Sequence, residues 1–331
     1  RARLEQGKFS TGEGNYQEMD LLSEYIRRVS EDIPVALGNA YRLVLDCGNG
    51  AAGPVAPKLF RALGHDVIEL YCDVDGAFPN HDPDTSDPQN VEDLVAAVKE
   101  NGADLGFGFD GDGDRLVVVD AGGNIILPDR LMMLYARDIL SRIPESKIVY
   151  DVKCSSRLGV IISKLGGTPI MWKTGHSYLK KKLKEESAEL AGDFAGHFFF
   201  EERWYGFDDA MYAAARLLEI LMGMKSPPAE ILSKLPTGVT TPEIRVELPE
   251  GENFRFMESF SSSVDIPDAK ITTIDGVRAD FSDGWGLVRA SNTTPALTFR
   301  FEAQDDEALA RIKAQFRALI GAVNPEIVLP F

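Results

Sequence analysis

The sequence predicts an α/β protein: two related mixed-sheet α/β domains followed by a small α+β C-terminal domain. Three observations carry that expectation. A strand–helix–strand pattern occurs twice. Arg42-Leu43-Val44-Leu45-Asp46 is echoed by Lys147-Ile148-Val149-Tyr150-Asp151, and Ala62-Leu63-Gly64 by Lys164-Leu165-Gly166. A boundary rich in turn residues runs from Ser226-Pro227-Pro228 to Leu235-Pro236-Thr237-Gly238. Beyond it, short strands precede a helix. The divisions expected are a lead-in over residues 1–22, α/β domains over 23–124 and 125–236, and the α+β domain over 237–331.

In chain order, residues 1–13 form an exposed lead-in, and Met19, Leu22, Ile26 and Val29 recur at helical spacing from Tyr16 to Val29. After the strand at 42–45, Gly48-Asn49-Gly50-Ala51-Ala52-Gly53 opens a helix, with Pro54 near its first turn. Alone, this G-x-G-x-x-G after a strand, with Glu69 near the next strand's end, also fits a dinucleotide fingerprint. The alternative is that the glycines only make a tight strand-to-helix turn, and the later motifs favour it. Pro79-Asn80-His81-Asp82-Pro83-Asp84 is a rigid polar loop. A helix follows with Asn90 as its N-cap, Asp93 three residues on, and Leu94, Val95 and Val98 as its apolar face.

Leu105 to Phe109 and Leu116 to Val119 read as short strands, and a hairpin turns at Gly122-Gly123-Asn124. Beyond Pro128, Leu131, Met132, Tyr135 and Ile139 mark a helix that leads into the second α/β unit. In the last domain the strands expected are Glu243 to Leu248, Gly286 to Ala290 and Leu297 to Phe301. The helix after them carries Leu309, Ile312, Phe316 and Ile320.

Composition sets bounds on partners. The net charge of −17 argues against nucleic acid and against an anionic membrane surface, and no apolar run reaches the length of a membrane span. Cys47, Cys72 and Cys154 are an odd number without ligand-like spacing, expected as buried thiols in a reducing, cytoplasmic setting. The sequence lacks a signal-peptide pattern and opens on Arg1 inside a charged helical pattern, so it is expected to be a piece of something longer.

Chemistry concentrates in Phe109-Asp110-Gly111-Asp112-Gly113-Asp114-Arg115. Three carboxylates at alternating positions, with glycines that let the backbone curl, converge on one point between two strands. Unneutralised they repel, and a hard divalent cation bound by oxygens removes the conflict. A calcium EF-hand fails here, because its position 6 needs Gly and is Arg115, and its position 12 needs Glu and is Ala121. A haloacid-dehalogenase-type phosphatase also places Asp-x-Asp after a buried strand, but wants Thr or Val where Asp114 stands. A solvated acidic turn is the bland alternative.

Other segments gather at strand ends, where sites of α/β folds collect. These are Asp151-Val152-Lys153-Cys154, Trp172-Lys173-Thr174-Gly175-His176-Ser177, and Asp193-Phe194-Ala195-Gly196-His197 before an aromatic run. In the last domain, Arg289 is followed by the polar turn Ala290-Ser291-Asn292-Thr293-Thr294-Pro295, whose guanidinium, hydroxyls and N–H groups suit an anion.

Together, FDGDGDR at 109–115, DVKC at 151–154, WKTGHS at 172–177, GDFAGH at 192–197 with the ERWYGFDD after it, and GWGLVRASNTTP at 284–295 resemble the α-D-phosphohexomutase family, phosphomannomutase/phosphoglucomutase branch. The resemblance runs from about residue 15 to the C-terminus. It implies interconversion of the 1- and 6-phosphates of mannose and glucose through a phosphoserine and a hexose 1,6-bisphosphate. It also implies Mg²⁺ on Asp110, Asp112 and Asp114, and Arg115, Lys153 and His176 at the reaction centre. Sugar hydroxyls would be read by Asp193, Phe194, Ala195, Gly196 and His197, with Lys153 and His176 also touching substrate. The non-reacting phosphate would be gripped by Arg289, Ala290, Ser291, Asn292, Thr293 and Thr294. Glucose 1,6-bisphosphate is the implied activator, hexose phosphates the partners, and a monomer the expected state.

Two departures stand out. The family's sugar loop reads G-E-M-S-G-H, whereas Asp193 and Ala195 occupy the Glu and Ser positions here. The family's T-A-S-H-N-P serine motif is absent from this sequence, which implies a missing N-terminal domain. This chain alone is then expected to be inactive. A metal-dependent phosphatase working through Asp110, or a non-catalytic sugar-phosphate-binding fragment, are the alternatives.

Overall fold

The structure is a computed structural model that describes residues 2–33 and 40–331. A single helical turn, α1 (Ala2–Glu5), precedes α2 (Leu22–Asp32). The first sheet then forms from β1 (Arg42–Asp46), β2 (Asp66–Leu70), β3 (Leu105–Phe109), β4 (Leu116–Asp120) and β5 (Ile125–Ile126), ordered β2-β1-β3-β4-β5. β1 runs parallel to β2 and β3, while β4 and β5 return antiparallel. Helices α3 (Ala56–Ala62) and α4 (Glu92–Glu100) supply the crossovers. Because both faces are covered, the middle of β1, Leu43 to Leu45, is a continuous apolar run between Arg42 and Asp46. Leu43 and Leu45 enter the large central core, and Val44 packs under α4 with Leu94 and Val98.

Helix α5 (Pro128–Arg142) leads to the second sheet, built from β6 (Lys147–Asp151), β7 (Thr168–Trp172), β8 (Leu190–Gly192) and β9 (Phe198–Phe200) in the order β7-β6-β8-β9. β6 is parallel to β7 and β8, and β9 is antiparallel to β8. That is the topology of β1 to β4 repeated. Helices α6 (Ser156–Lys164) and α7 (His176–Glu186) cross over, and α8 (Ala210–Met222) follows β9. Phe198 and Phe200 point into the same core as Leu43 and Leu45, so the two units share one interior, with Tyr135 of α5 and Tyr212 of α8 inside it.

After α9 (Pro228–Ser233) comes an antiparallel sheet of β10 (Val239–Thr240), β11 (Ile244–Glu247), β12 (Lys270–Thr272), β13 (Val277–Asp280), β14 (Gly284–Ala290) and β15 (Ala296–Ala303). Its order is β10-β15-β14-β13-β12, with β11 also on β15. Helices α10 (Glu252–Ser263) and α11 (Asp306–Val323) cover one face, where Phe301 meets Phe316 edge-on at 5.3 Å. The other face is bolted to the second unit. Arg278, fully buried, donates Nη1 to the carbonyls of Val152 (2.6 Å) and Cys154 (2.7 Å), and Arg300 donates to that of Lys153. Both guanidiniums lie over the Trp285 ring.

Two sequence expectations need correction. Helix α2 begins at Leu22, not Tyr16, and Tyr16 and Met19 are 83% and 77% exposed. With nothing to pack against, periodicity alone does not sustain a helix. Asn90 is not an N-cap: a 3₁₀ turn over Pro88–Val91 starts the helix, capped by Asp87 on the N–H of Gln89, while Asn90 Nδ2 donates to the Asp84 carbonyl. The glycines at 48–53 make the tight, closely packed turn that the later motifs favour. A Cβ on Gly50 would lie 2.7 Å from the Gly111 carbonyl oxygen, and one on Gly53 2.0 Å from that of Cys72.

Candidate active site

The acidic loop joins β3 to β4 and is organised by Asp110. This carboxylate is buried, and its Oδ1 accepts N–H groups from Gly113 (3.1 Å), Asp114 (3.0 Å) and Arg115 (3.0 Å). Its Oδ2 accepts Arg115 Nε at 2.6 Å. Burial pushes its pKa up against these donors. With both oxygens so engaged, Asp110 makes a poor phosphatase nucleophile. One oxygen each from Asp110, Asp112 and Asp114 lies within 4.8 Å of the others. An all-oxygen donor set closing on one point, with a carboxylate whose charge is costly there, fits a hard cation such as Mg²⁺.

Arg115 is held at two edges, since its Nη1 also reaches Asp84 Oδ1 at 2.7 Å. Asp84 ends the rigid polar loop, which is itself pinned by His81 Nε2 on Asp46 Oδ2 at 3.1 Å. The guanidinium therefore has a fixed direction.

In the second unit the loop between β8 and β9 is Asp193 to His197. Asp193 is also buried. Its Oδ1 accepts the N–H groups of Ala195 and His197, both at 3.0 Å, and its Oδ2 pairs with His197 Nδ1 at 2.8 Å. Both oxygens of the carboxylate are thus engaged within its own loop. Burial works to lower the His197 pKa, but Asp193 and Asp114 raise it to about 10, so the ring is cationic at neutral pH. The two loops touch: Arg115 and His197 form an antiparallel backbone bridge, and Leu116 N–H donates to the Gly196 carbonyl at 3.0 Å. Phe194 packs its ring under Arg300, 3.5 Å from the guanidinium carbon.

His176 starts α7 with its ring half exposed, and its Nδ1 lies 3.0 Å from Asp208 Oδ2, where Lys180 also pairs. Its ring stacks on His197, with centroids 5.7 Å apart. Lys153 is buried at the end of β6 with Nζ 2.9 Å from Glu243 Oε2. Burial works against its charge, but Glu243 and Asp151 raise its pKa; Glu243 is in turn held low despite burial, mainly by Lys153.

Arg289 on β14 is buried, its Nε on Asp275 Oδ2 at 3.0 Å. The same oxygen accepts the Thr174 N–H at 3.0 Å, tying the arginine to the loop that carries His176. Ser291 Oγ sits within 3.1–3.4 Å of Thr293 N, Thr294 N and Thr294 Oγ1, folding the turn, while Ala290 is buried and Asn292 exposed. Arg245 Nη2 joins from β11, on Thr294 Oγ1 at 2.8 Å. The partners Asp84, Asp208, Glu243, Asp275 and Arg245 escaped the sequence reading. Asp84 and Asp208 lie in loop segments singled out in the sequence, Glu243 and Arg245 in an expected strand, and Asp275 in neither.

The chain matches the family descriptions for phosphoglucomutase/phosphomannomutase alpha/beta/alpha domain II over residues 23–123, alpha/beta/alpha domain III over 127–238, and the C-terminal domain over 243–319. It belongs to this family. It is 50% identical over 331 residues to a phosphomannomutase/phosphoglucomutase of Pseudomonas aeruginosa, covering all of this chain and 71% of the relative. A phosphoglucomutase of Neisseria meningitidis is 48% identical over 320 residues, covering 96% of this chain and 69% of the relative. The crystal structure of a phosphoglucomutase/phosphomannomutase family protein from Burkholderia thailandensis superposes with a TM-score of 0.93 at 47% identity, covering all of this chain and 70% of that one. The family's acidic, DVKC, histidine and arginine segments thus lie in a fold whose relatives are hexose phosphate mutases.

Proposed function

We propose that this chain forms the metal, sugar and phosphate walls of a phosphohexomutase interconverting the 1- and 6-phosphates of mannose and glucose. A phosphoserine, on a domain outside this sequence, passes its phosphoryl group to a hydroxyl of the bound hexose phosphate. The resulting 1,6-bisphosphate turns over in the cleft and returns its other phosphate to the serine. The longer relatives and the domain II to C-terminal match support this division. Asp110, Asp112 and Asp114 would hold Mg²⁺, which offsets charge on the transferring group when bound.

The chain's own residues do the rest. Arg115, fixed by Asp110 and Asp84, offers its remaining N–H groups to phosphate oxygens. Lys153, kept charged by Glu243, adds a second cation. His176 has the open ring among the three and takes or returns the proton of the sugar hydroxyl. Arg289, with Ser291, Thr293 and Thr294, grips the phosphate that is not reacting, and one such grip serves both orientations of the sugar.

The observation that carries this reading is the bridge between Arg115 and His197, which unites the metal loop and the sugar loop in one cleft. Calorimetry with glucose 1,6-bisphosphate in the presence of Mg²⁺ tests it. Saturable binding to the chain is expected. An absence of binding, or release of inorganic phosphate from hexose phosphates, would overturn it.

A further inference from the structure

Beside the all-oxygen loop stands a second group of donors with a different chemistry. Asp114, His197 and Asp208 each bring one ligand atom within 4.8 Å of the others, and all three are partly accessible. His197 Nε2 lies 3.4 Å from Asp114 Oδ1. That is long for a charge-assisted hydrogen bond, which runs at about 2.7–2.9 Å. It matches the edge of a tetrahedron whose centre is about 2.0–2.1 Å from each ligand, an edge of about 3.3–3.4 Å.

The other side of the imidazole is set as well. Metal-binding histidines characteristically give their second ring nitrogen to a carboxylate, which fixes the ring and raises its basicity. His197 Nδ1 meets Asp193 Oδ2 at 2.8 Å, leaving Nε2 aimed at the gap. The Asp193 carboxylate is fixed by two N–H groups of its own loop, so this orientation is built in. Asp208 is anchored by Lys180 Nζ at 2.9 Å and by His176.

We propose that Asp114, His197 and Asp208 form a second cation site, selective for a borderline transition-metal dication such as Zn²⁺ over Mg²⁺. One imidazole and two carboxylates plus water make a four-coordinate zinc set, whereas Mg²⁺ prefers oxygen alone in octahedral geometry. Asp114 has two oxygens, so the new site adjoins the acidic loop without emptying it. A dication at Nε2 displaces the ring proton, which leaves to solvent, and a substrate approaching the two loops would meet the ion there.

The test is a Zn²⁺ titration of the full chain in a large excess of Mg²⁺, read by competition with a chromophoric chelator. One equivalent is expected to bind, and Co²⁺ in its place should give the intense visible spectrum of a four-coordinate N/O site. His197→Gln should lower zinc affinity at least about tenfold, and Asp193→Asn should lower it about 10- to 100-fold by freeing the ring. Asp112→Asn, in the exposed part of the acidic loop, should leave it unchanged. The Co²⁺ spectrum of the parent chain needs no variant, so misfolding of one cannot hide the answer. Zinc displaced by Mg²⁺, or zinc whose affinity follows Asp112 and not His197, would place the ion in the acidic loop and sink the proposal. Bisphosphate calorimetry in Mg²⁺ alone is untouched by that outcome.

Discussion

Arg115 and His197 are equivalents in two copies of one device, and they meet. Each ends the loop that enters the antiparallel strand of its sheet, and a backbone bridge joins them. Behind each stands an aspartate just past a parallel strand, Asp110 or Asp193. One oxygen of that aspartate caps the loop's N–H groups, and the other holds the basic side chain, at 2.6 Å for Arg115 and 2.8 Å for His197. The repeat thus does more than duplicate a sheet: it brings two oriented cationic residues together at one backbone bridge. The shorter Asp193, in the place of the family's Glu, makes its contact to His197 without leaving the loop.

The acidic loop depends on the glycine turn after β1. Gly50→Ala would bring a Cβ 2.7 Å from the Gly111 carbonyl oxygen and 3.0 Å from that of Asp110, both backbone atoms that cannot swing aside. Overpacking of this kind costs about 1–3 kcal/mol. Thermal unfolding should show that loss, and Mn²⁺ affinity, read by its paramagnetic relaxation, should fall with it. Unchanged Mn²⁺ binding would show that the turn does not shape the loop.

Arg289 should supply much of the affinity for a phosphosugar. Losing charge-assisted hydrogen bonds costs about 1.5–3 kcal/mol, roughly ten- to a hundredfold. Calorimetry of Arg289→Ala with glucose 1,6-bisphosphate measures it. The guanidinium is buried and its Nε is taken by Asp275, so its remaining N–H groups do the gripping. An affinity equal to the parent's would remove Arg289 from the phosphate site.

Much of this was legible in the sequence because it is local. The acidic loop, the repeat at Asp46 and Asp151, and the Arg289 turn are written in consecutive residues. What stayed hidden depends on chain segments far apart. Asp84 finds Arg115, Glu243 finds Lys153 and Asp275 finds Arg289 only after the sheets assemble, and an isolated acidic residue carries no sign of its partner. Likewise α10, spelled Glu-Asn-Phe-Arg-Phe-Met-Glu-Ser-Phe-Ser-Ser-Ser, is short of strong helix formers. It is held by Phe256, Met257 and Phe260 packing into the C-terminal core.

The Lys153–Glu243 pair fastens the second unit to the last, and its pH dependence has a definite sign. Glu243 is held below the ordinary carboxylate range in the folded chain, so its contribution is full above the ordinary Glu value and is lost as pH falls through the lowered one. Lys153 is raised, so its contribution is full below the ordinary Lys value and fades only above it. The seam is therefore intact at neutral pH and weakens in acid. Trp285, buried against the Arg278 and Arg300 guanidiniums, is a reporter whose fluorescence should shift on acidification. Glu243→Gln should cost about 1–3 kcal/mol at neutral pH and flatten the acid-side dependence. An acid transition identical to the parent's would mean that other carboxylates set it.

The last prediction is that this chain, purified alone, does not interconvert hexose 1- and 6-phosphates. The proposed mechanism assigns phosphoryl transfer to a serine in a T-A-S-H-N-P segment, which this sequence does not contain. The serines near the cleft have other work. Ser291 Oγ is surrounded by Thr293 and Thr294 as the pivot of the phosphate turn, and Ser177 sits in the first turn of α7 beside His176. Asp110, the one carboxylate placed as a phosphatase nucleophile would be, is tied up by three N–H groups and Arg115. Phosphoryl transfer rests on positioning and charge stabilisation, and both need donor and acceptor held in line. Without the donor, the proposed metal loop, cations and Arg289 turn would bind substrate but have nothing to transfer. A coupled assay with glucose 1-phosphate, Mg²⁺ and catalytic glucose 1,6-bisphosphate should therefore stay at background. Turnover should appear when a serine-bearing N-terminal domain from a relative is added or fused. Robust turnover by the chain alone would show that another residue carries the phosphoryl group, and Asp110→Asn would then be the first variant to examine.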